Sequence, residues 1–274
     1  MATTKNEYES LLVEAARRVL LEIARLLYDY RDGIVIVGGS VPSLILDPSL
    51  PAHIGSIDVD IALDQNLIQE VGYRSIMQLL SKRGYVQGDQ PFIFYRTLEI
   101  GEQEITVEVD FLAGEYGGTS KKHRTQVVQD MHPRKARACD LAFLDPIQIS
   151  IEGTLPEGGK DKASIQVASI VPFLMMKAQA LSSRLKEKDA YDIYYCVSNY
   201  QGGLEALVEN FQSFPDHSLV HEGLAILKEK FSSVDAVGPV FVTTFLDETD
   251  PDIRAFIQRD AFERVQYLVN ELGS

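Results

Sequence analysis

The apolar residues of this chain follow two periods, one typical of helices and one typical of strands. Over residues 8–30 they recur at helical spacing, which predicts a long amphipathic helix capped by Gly33. Residues 34–37 form a short β-branched run, which favours a buried strand. A glycine turn follows at once, and residues 41–46 predict a short helix after it.

The segment I-D-V-D-I-A-L at residues 57–63 alternates apolar and polar side chains, which indicates a half-buried strand. Residues 66–83 predict a helix, and residues 91–112 predict a β-hairpin that turns near Gly101. We interpret residues 113–138 as a loop. Further short strands are predicted beyond it, at residues 140–144, 147–152 and 164–168.

The pattern changes near residue 169, because every later segment has helical spacing. We predict helices at residues 169–184, 187–198, 203–212, 216–231 and 250–271. The chain is therefore expected to have two domains. Residues 1–168 form an α/β (α+β) domain, and residues 169–274 form a helical C-terminal domain.

The composition limits where the protein works and what it binds without specificity. The 274 residues carry a formal net charge of -14, which opposes non-specific binding to nucleic acid or anionic lipid. Cys139 and Cys196 fit no zinc spacing, so we expect reduced thiols in a cytoplasmic protein. The polar N-terminal residues predict no signal peptide, and no apolar run reaches the roughly 18 residues of a membrane span.

The turn Gly38-Gly39-Ser40 between a strand and a helix is a candidate phosphate-binding loop. Glycines let the backbone approach a phosphate closely, the helix N-terminus offers N–H groups, and Ser40 adds a hydroxyl. Such turns also occur without any ligand, so the pattern is not specific by itself.

Asp58 and Asp60 are spaced so that their side chains point to the same face of a strand. Adjacent carboxylates repel unless a cation lies between them, and Mg²⁺ or Mn²⁺ suits hard oxygen ligands. The alternative is an exposed polar face of an edge strand.

Val107-Glu108-Val109-Asp110-Phe111 repeats the alternation on the second arm of the hairpin. If this arm pairs beside residues 57–63, Glu108 or Asp110 supplies a third carboxylate. A phosphate-binding turn with carboxylates on neighbouring strands is the arrangement for two-metal attack on phosphorus. An exposed polar face again remains the alternative.

The order GGS, SIDVDI and VEVDF resembles the DNA polymerase β-type nucleotidyltransferase superfamily. In the helical half, residues 177–192 resemble the K-x-x-A-L-x-x-R-x-K-x-x-D-x-x-D signature of the AbiEii-like family. That family contains nucleotidyltransferase toxins of bacterial type IV toxin–antitoxin systems. The resemblance covers roughly residues 34–200 and implies a polymerase β-like domain with a mixed sheet, plus a helical C-terminal domain, with the active site in the cleft between them.

The resemblance also implies a role for individual residues. The implied nucleotide-binding residues are Gly38, Gly39, Ser40, Ser56, Lys177 and Arg184. The implied metal ligands are Asp58, Asp60 and Asp110, and the implied catalytic residues are these three with Lys177, Asp189 and Asp192.

The sequence departs from the family pattern near the acidic pair. The linker from Ser40 to Asp58 is longer than in minimal members and contains three prolines, and an expected arginine near Ser56 is absent, with His53 the nearest basic residue. In the helical motif, Lys177 and Arg184 lie on adjacent helix faces, so their charges can point together. The alternative is that both lie on the surface and that the nearby aspartates form ordinary helix ion pairs.

The expected activity is magnesium-dependent transfer of a nucleoside monophosphate from an NTP to a hydroxyl, with release of pyrophosphate. The resemblance implies an RNA acceptor such as a tRNA 3′ end, and an antitoxin protein as a partner. The alternatives are a small-molecule adenylyltransferase of the antibiotic-modifying type and a non-catalytic nucleotide-binding module.

A basic stretch stands out in this acidic chain and is a candidate RNA contact. Its cations are Lys121, Lys122, Arg124, Arg134, Lys135 and Arg137. Clustered cations neutralise backbone phosphates. The alternative is a solvated loop.

Overall fold

The computed structural model describes residues 4–68, 75–115 and 128–273. The chain is a mixed α/β protein with a mixed sheet and several helices. It divides into two compact units, one built around the sheet and one built of helices. The sheet unit comprises residues 9–44 and 55–169. The helical unit comprises residues 170–274 together with two earlier segments, residues 1–8 and 45–54.

The strands of the sheet unit are β1 (Ile34–Val37), β2 (Asp58–Leu63), β3 (Val86–Gln87), β4 (Ile93–Ile100), β5 (Gln103–Ala113), β6 (Arg134–Lys135), β7 (Ile147–Thr154) and β8 (Lys160–Val167). Within the described residues they form one sheet in the order β3-β4-β5-β2-β1-β8-β7, and β6 pairs with β5. The pairs β2–β5, β1–β8 and β5–β6 are parallel, and the remaining pairs are antiparallel. The hairpin predicted around Gly101 is confirmed as β4 and β5.

Helix α1 (Ser10–Leu26) covers one face of this sheet and contacts β2, β5, β7 and β8. Its buried Glu22 accepts hydrogen bonds from Arg96 of β4 and from the Tyr85 hydroxyl. Arg96 is opposite Val107 in the β4–β5 register. Because neighbours in register share a face, α1 lies on the Val107 side of the sheet. The polar residues that alternate with Val107 on β5 therefore face the other way.

Two short helices complete the sheet unit, α2 (Val41–Ile45) and α3 (Ile76–Lys82). The helix predicted at residues 66–83 is shorter in the structure, where it begins after Ser75, whose side chain accepts from the Gln78 N–H. Residues 69–74 of that prediction lie outside the described residues.

Three other sequence predictions are corrected in the sheet unit. The first helix ends at Leu26 and a 3-10 turn follows at Tyr28–Gly33, so Gly33 is not its cap. The strand predicted at residues 140–144 is a 3-10 turn, Cys139–Phe143, in which Cys139, Leu141 and Ala142 are buried. The segment at residues 113–138, interpreted as a loop, contains the short strand β6, because Arg134 and Lys135 pair in parallel with Leu112 and Ala113 of β5.

The helices of the second unit are α4 (Ile170–Arg184), α5 (Glu187–Ser198), α6 (Gly203–Ser213), α7 (Ser218–Lys230), α8 (Val237–Phe245) and α9 (Pro251–Glu271). Helix α4 packs on α5 and α7, and α9 packs on α5 to α8. Their core contains Phe173, Phe231 and Phe245, each almost fully buried. Helix α8 was missed from sequence, since its nearly continuous apolar run has no polar face to give a period. Among the described residues, no helix combines the length and apolar character that a membrane crossing requires.

Candidate active site

The parallel pairing of β2 with β5 brings acidic side chains together on one face of the sheet. Asp58 is opposite Glu108, and Asp60 is opposite Asp110. The alternating residues Val59 and Val109 are fully buried on the other face. We call Asp58, Asp60, Glu108 and Asp110 the carboxylate cluster. The sequence left the pairing of the hairpin arm with residues 57–63 as a condition, and the structure contains this pairing, so both Glu108 and Asp110 lie beside the aspartate pair.

The glycine turn lies directly against this cluster. Val37, the last residue of β1, is opposite Asp60, and a 3-10 turn at Gly38–Ser40 follows. Gly38 has φ +73°, and a Cβ placed there would be 1.8 Å from Asp60 Oδ2. Only glycine allows the turn to pass so close to the carboxylate, because any side chain would both strain the backbone and overlap Asp60. The tertiary structure thus joins two motifs that the sequence separates.

Asp110 occupies the most buried position of the cluster, with 8 % of its surface exposed. Arg134 donates from Nη2 to Asp110 Oδ2 at 2.7 Å, while Asp110 Oδ1 is buried and has no hydrogen-bond partner among the described residues. Burial raises the pKa of Asp110 to about 6, Arg134 opposes this, and Glu108 and Asp58 add to it. The carboxylate therefore lies where more positive charge would be favourable.

Asp58, the first residue of β2, is oriented by Ser56, which lies two residues before it in the chain. Ser56 is 6 % exposed, and its hydroxyl donates a short hydrogen bond to Asp58 Oδ1. This hydrogen bond holds one oxygen of a carboxylate in the cluster. The contact of Ser56 with a nucleotide, which the family resemblance implies, stays a prediction.

The donor set of the cluster fits a hard divalent cation in its chemistry. Its members are all carboxylates, and Oδ1 of Asp110 is buried without a hydrogen bond from any residue that the structure describes. In residues 4–68, 75–115 and 128–273, however, no group of three or more His, Cys, Asp or Glu side chains is arranged to hold a metal ion. Two of the carboxylates are drawn toward other partners, Asp58 toward Ser56 and Asp110 toward Arg134.

The residues of the helical motif lie in the other unit and form a buried network of charges. Lys177 Nζ lies 2.9 Å from Asp189 Oδ1 and 2.7 Å from Asp192 Oδ2. Arg184 donates to both oxygens of Asp189, from Nε at 2.7 Å and from Nη2 at 2.8 Å. The structure thus brings all four predicted residues of the motif together.

Asp192 has two further partners, neither of which is among the predicted site residues. Lys188 Nζ and His53 Nε2 lie 2.7 Å and 2.9 Å from its Oδ1. His53 stacks on Tyr191 and meets Tyr195 edge to face. Lys188 precedes Asp192 by one helical turn, so this pair was visible in the spacing. His53 is distant in sequence, and only tertiary packing places it there.

The pKa values in this network follow from the balance between burial and pairing. Burial alone would raise the pKa of Asp192, but Lys177 and Lys188 hold it well below its ordinary value. The pKa of Asp189 is also lowered, because the effect of Lys177 and Arg184 on it is larger than the opposite effect of burial. Burial would lower the pKa of Lys177, yet Asp189 and Asp192 raise it. All three groups are therefore charged at neutral pH.

The exposure of the two predicted phosphate-binding cations differs. Lys177 is 7 % exposed and its ammonium is shared by two carboxylates. The side chain of Arg184 is 44 % exposed although it also binds Asp189. Arg184 is therefore the better placed of the two to meet a ligand from solvent.

The basic stretch is only partly within the described residues. Lys121, Lys122 and Arg124 lie outside them. Arg134 pairs with Asp110, and Arg137 pairs with Glu115 through Nη1 at 2.8 Å. These two arginines thus make intramolecular ion pairs at the end of β5.

Comparisons with known proteins add no relative to this description. No protein-family model matches the chain, and searches of curated proteins and of solved structures give no significant match. The functional argument therefore depends on the residues themselves and on the geometry that surrounds them.

Proposed function

We propose that this protein is a metal-dependent nucleotidyltransferase with a polymerase β-like sheet unit, and that it transfers a nucleoside monophosphate from an NTP to a hydroxyl. The observation that carries the proposal is the β2–β5 register, which aligns Asp58 and Asp60 with Glu108 and Asp110 beside the Gly38 turn. A close glycine turn next to paired carboxylates is what a metal–triphosphate complex requires.

Asp58, Asp60 and Asp110 would hold Mg²⁺ or Mn²⁺, with Glu108 as the alternative third ligand. When bound, the metal neutralises charge on the phosphates and on the attacking oxygen. Ser56 orients Asp58 through its hydrogen bond. The Gly38–Ser40 turn lets backbone N–H groups approach the triphosphate without a side chain between them.

The reaction is an in-line displacement at the α-phosphorus of the NTP. The acceptor hydroxyl oxygen forms a bond to this phosphorus, and the bond from phosphorus to the bridging oxygen of pyrophosphate breaks. A carboxylate of the cluster, Glu108 or Asp110, receives the hydroxyl proton. Pyrophosphate leaves with the electron pair of the broken bond.

In the helical unit we assign the phosphate contact to Arg184, because its guanidinium is partly exposed. The buried pairing of Lys177 with Asp189 and Asp192 supports a positioning role for these residues. Their direct participation in catalysis, which the family resemblance implies, stays a prediction.

We further propose that the enzyme is cytoplasmic and that its acceptor is RNA. The resemblance to toxin nucleotidyltransferases favours the RNA acceptor, and it also favours an antitoxin protein as a partner. Cys139 and Cys196 are both buried, and the proposal takes them as reduced thiols in a reducing compartment. The net charge of -14 requires a local approach route for RNA, and Lys121, Lys122 and Arg124 of the basic stretch would supply its cations.

The test incubates the protein and Mg²⁺ with each NTP labelled at the α-phosphate, in the presence of total RNA or of hydroxyl-bearing antibiotics. We expect label in RNA and release of pyrophosphate. Asp60→Ala should abolish transfer without loss of stability, because it relieves repulsion in the metal-free cluster. The matched control is Glu104→Gln, an exposed acid on β5 outside the cluster, which should transfer normally. Label in neither acceptor class, or an active Asp60→Ala protein, would contradict the proposal.

A further inference from the structure

Arg134 contacts the carboxylate cluster through an ion pair with Asp110. It is the first residue of β6 and lies opposite Leu112 in the parallel pairing with β5. Its Nη2 is 2.7 Å from Asp110 Oδ2, and its side chain remains 38 % exposed. The guanidinium therefore touches the cluster while keeping access to solvent.

This contact engages only one of the two oxygens of Asp110. Arg134 binds one oxygen of Asp110, and the other is buried without a hydrogen-bond partner among the described residues. Asp60 lies opposite Asp110 in the β2–β5 register, and Asp58 lies opposite Glu108 two residues before them, so further carboxylates surround Asp110. One guanidinium on one oxygen therefore leaves the second oxygen of Asp110 as a position where another cation is favourable.

We propose that Arg134 is a built-in counter-cation of the carboxylate cluster and that a divalent metal ion competes with it for Asp110. Two cations on one carboxylate repel each other, so binding of either weakens binding of the other. Arg134 thereby keeps the metal-free cluster stable and sets how tightly a metal binds. This inference depends on the proposed function only in taking a divalent ion as the ligand of the cluster.

The experiment measures Mn²⁺ affinity by calorimetry and thermal melting for wild type and Arg134→Gln. We expect Arg134→Gln to bind Mn²⁺ about tenfold more tightly or better, because the competing charge is gone. Without metal it should melt at a lower temperature than wild type, since the cluster loses its partner. Added Mn²⁺ should raise the melting temperature of Arg134→Gln by more than that of wild type.

Arg137→Gln is the matched control. Arg137 is the same residue type, is also 38 % exposed, and pairs at 2.8 Å with Glu115 outside the cluster. Its replacement removes an arginine–carboxylate pair near the same end of β5. We expect its Mn²⁺ affinity to equal that of wild type.

A second measurement uses the wild-type protein, in case Arg134→Gln folds poorly. The Nε–H resonance of Arg134 is identified in labelled protein by its loss in Arg134→Lys. Mg²⁺ should move this resonance toward the value of a solvated arginine, because the contact with Asp110 is released. A resonance that does not change at saturating Mg²⁺ contradicts the competition.

The outcomes separate this inference from the proposed function. Unchanged or weaker Mn²⁺ affinity in a folded Arg134→Gln protein, while wild type binds Mn²⁺ and transfers nucleotide, overturns the counter-cation role alone. Competition between Arg134 and Mn²⁺ without any nucleotidyl transfer overturns the proposed function alone. If neither protein binds Mn²⁺, both the metal site and this inference are wrong.

Discussion

Replacing Lys177 with methionine removes a buried charge while keeping a side chain of similar length. Asp189 and Asp192 would each lose an ammonium, at 2.9 Å and 2.7 Å, and both are almost fully buried. Removing one partner of a buried ion pair typically costs about 3–5 kcal/mol, because the remaining charge is left uncompensated. Since Arg184 still binds Asp189 and Lys188 still binds Asp192, we expect the lower end, about 3 kcal/mol.

The assay is urea denaturation followed by circular dichroism, with NTP affinity measured by calorimetry on the same samples. A loss of about 3 kcal/mol would be a large part of the 5–15 kcal/mol that stabilises an ordinary domain. Adding Asp189→Asn to Lys177→Met should recover part of the loss, because one of the uncompensated carboxylates is then neutral. Arg184→Gln is the comparison, and we expect it to cost about 1 kcal/mol or less because its side chain is 44 % exposed.

The sequence alone favours a different result for Lys177, namely weaker NTP binding with little change in stability. The buried ion pairs of Lys177 with Asp189 and Asp192 instead predict that the main effect is a lower free energy of unfolding. If Lys177→Met unfolds with a free energy within about 0.5 kcal/mol of wild type while its NTP affinity drops, the structural reasoning is wrong. Its ammonium then acts mainly on the ligand.

Three other changes test separate parts of the molecule. Gly38→Ala should destabilise the sheet unit by at least about 2 kcal/mol in denaturation, through a positive φ and overlap with Asp60, whereas Gly158→Ala, with φ +91° and open space around it, should cost about 1 kcal/mol. Acid titration should show stability falling below about pH 4, because the lowered pKa of Asp192 makes the unfolded chain bind more protons there; an unchanged acid limb in Asp192→Asn would argue against this. Alanine at the first cations of the basic stretch should weaken RNA binding and reduce its salt dependence by up to about one unit of slope per lost phosphate contact, with NTP binding unchanged, and an unchanged slope would mean that the stretch is a solvated loop. Those cations are Lys121, Lys122 and Arg124.

The local pattern was sufficient for elements whose sequence carries a clear period. The alternation at residues 57–63 and in the hairpin arms predicted β2, β4 and β5, and the change of period near residue 169 matches the start of α4 at Ile170. The sequence did not predict the correct element where the apolar residues show no clear period. Helix α8 is apolar on nearly all sides, and the mainly apolar segment at 140–144 fits a strand and a 3-10 turn equally well.

The carboxylate pair and the glycine turn were also visible in the sequence, because each depends on spacings of a few residues. Strand alternation alone fixed that Asp58 and Asp60 share a face. The pairing of β2 with β5 was conditional, since a sequence does not state which strands are neighbours. Only the sheet register placed Glu108 and Asp110 beside that pair.

Tertiary structure decided which charges are partners and which residues belong to which unit. Residues 45–54 precede β2 in the chain but pack with the helical unit, where His53 binds Asp192 and Pro51 accepts from the Tyr195 hydroxyl. Arg134 belongs to a basic stretch in the sequence, yet it pairs with Asp110 in the sheet unit. Sequence periodicity shows which face of a helix or strand is apolar, because the buried face carries apolar residues at a regular spacing within that element. It does not report the partner of a charged side chain, since that depends on distances between residues far apart in the chain.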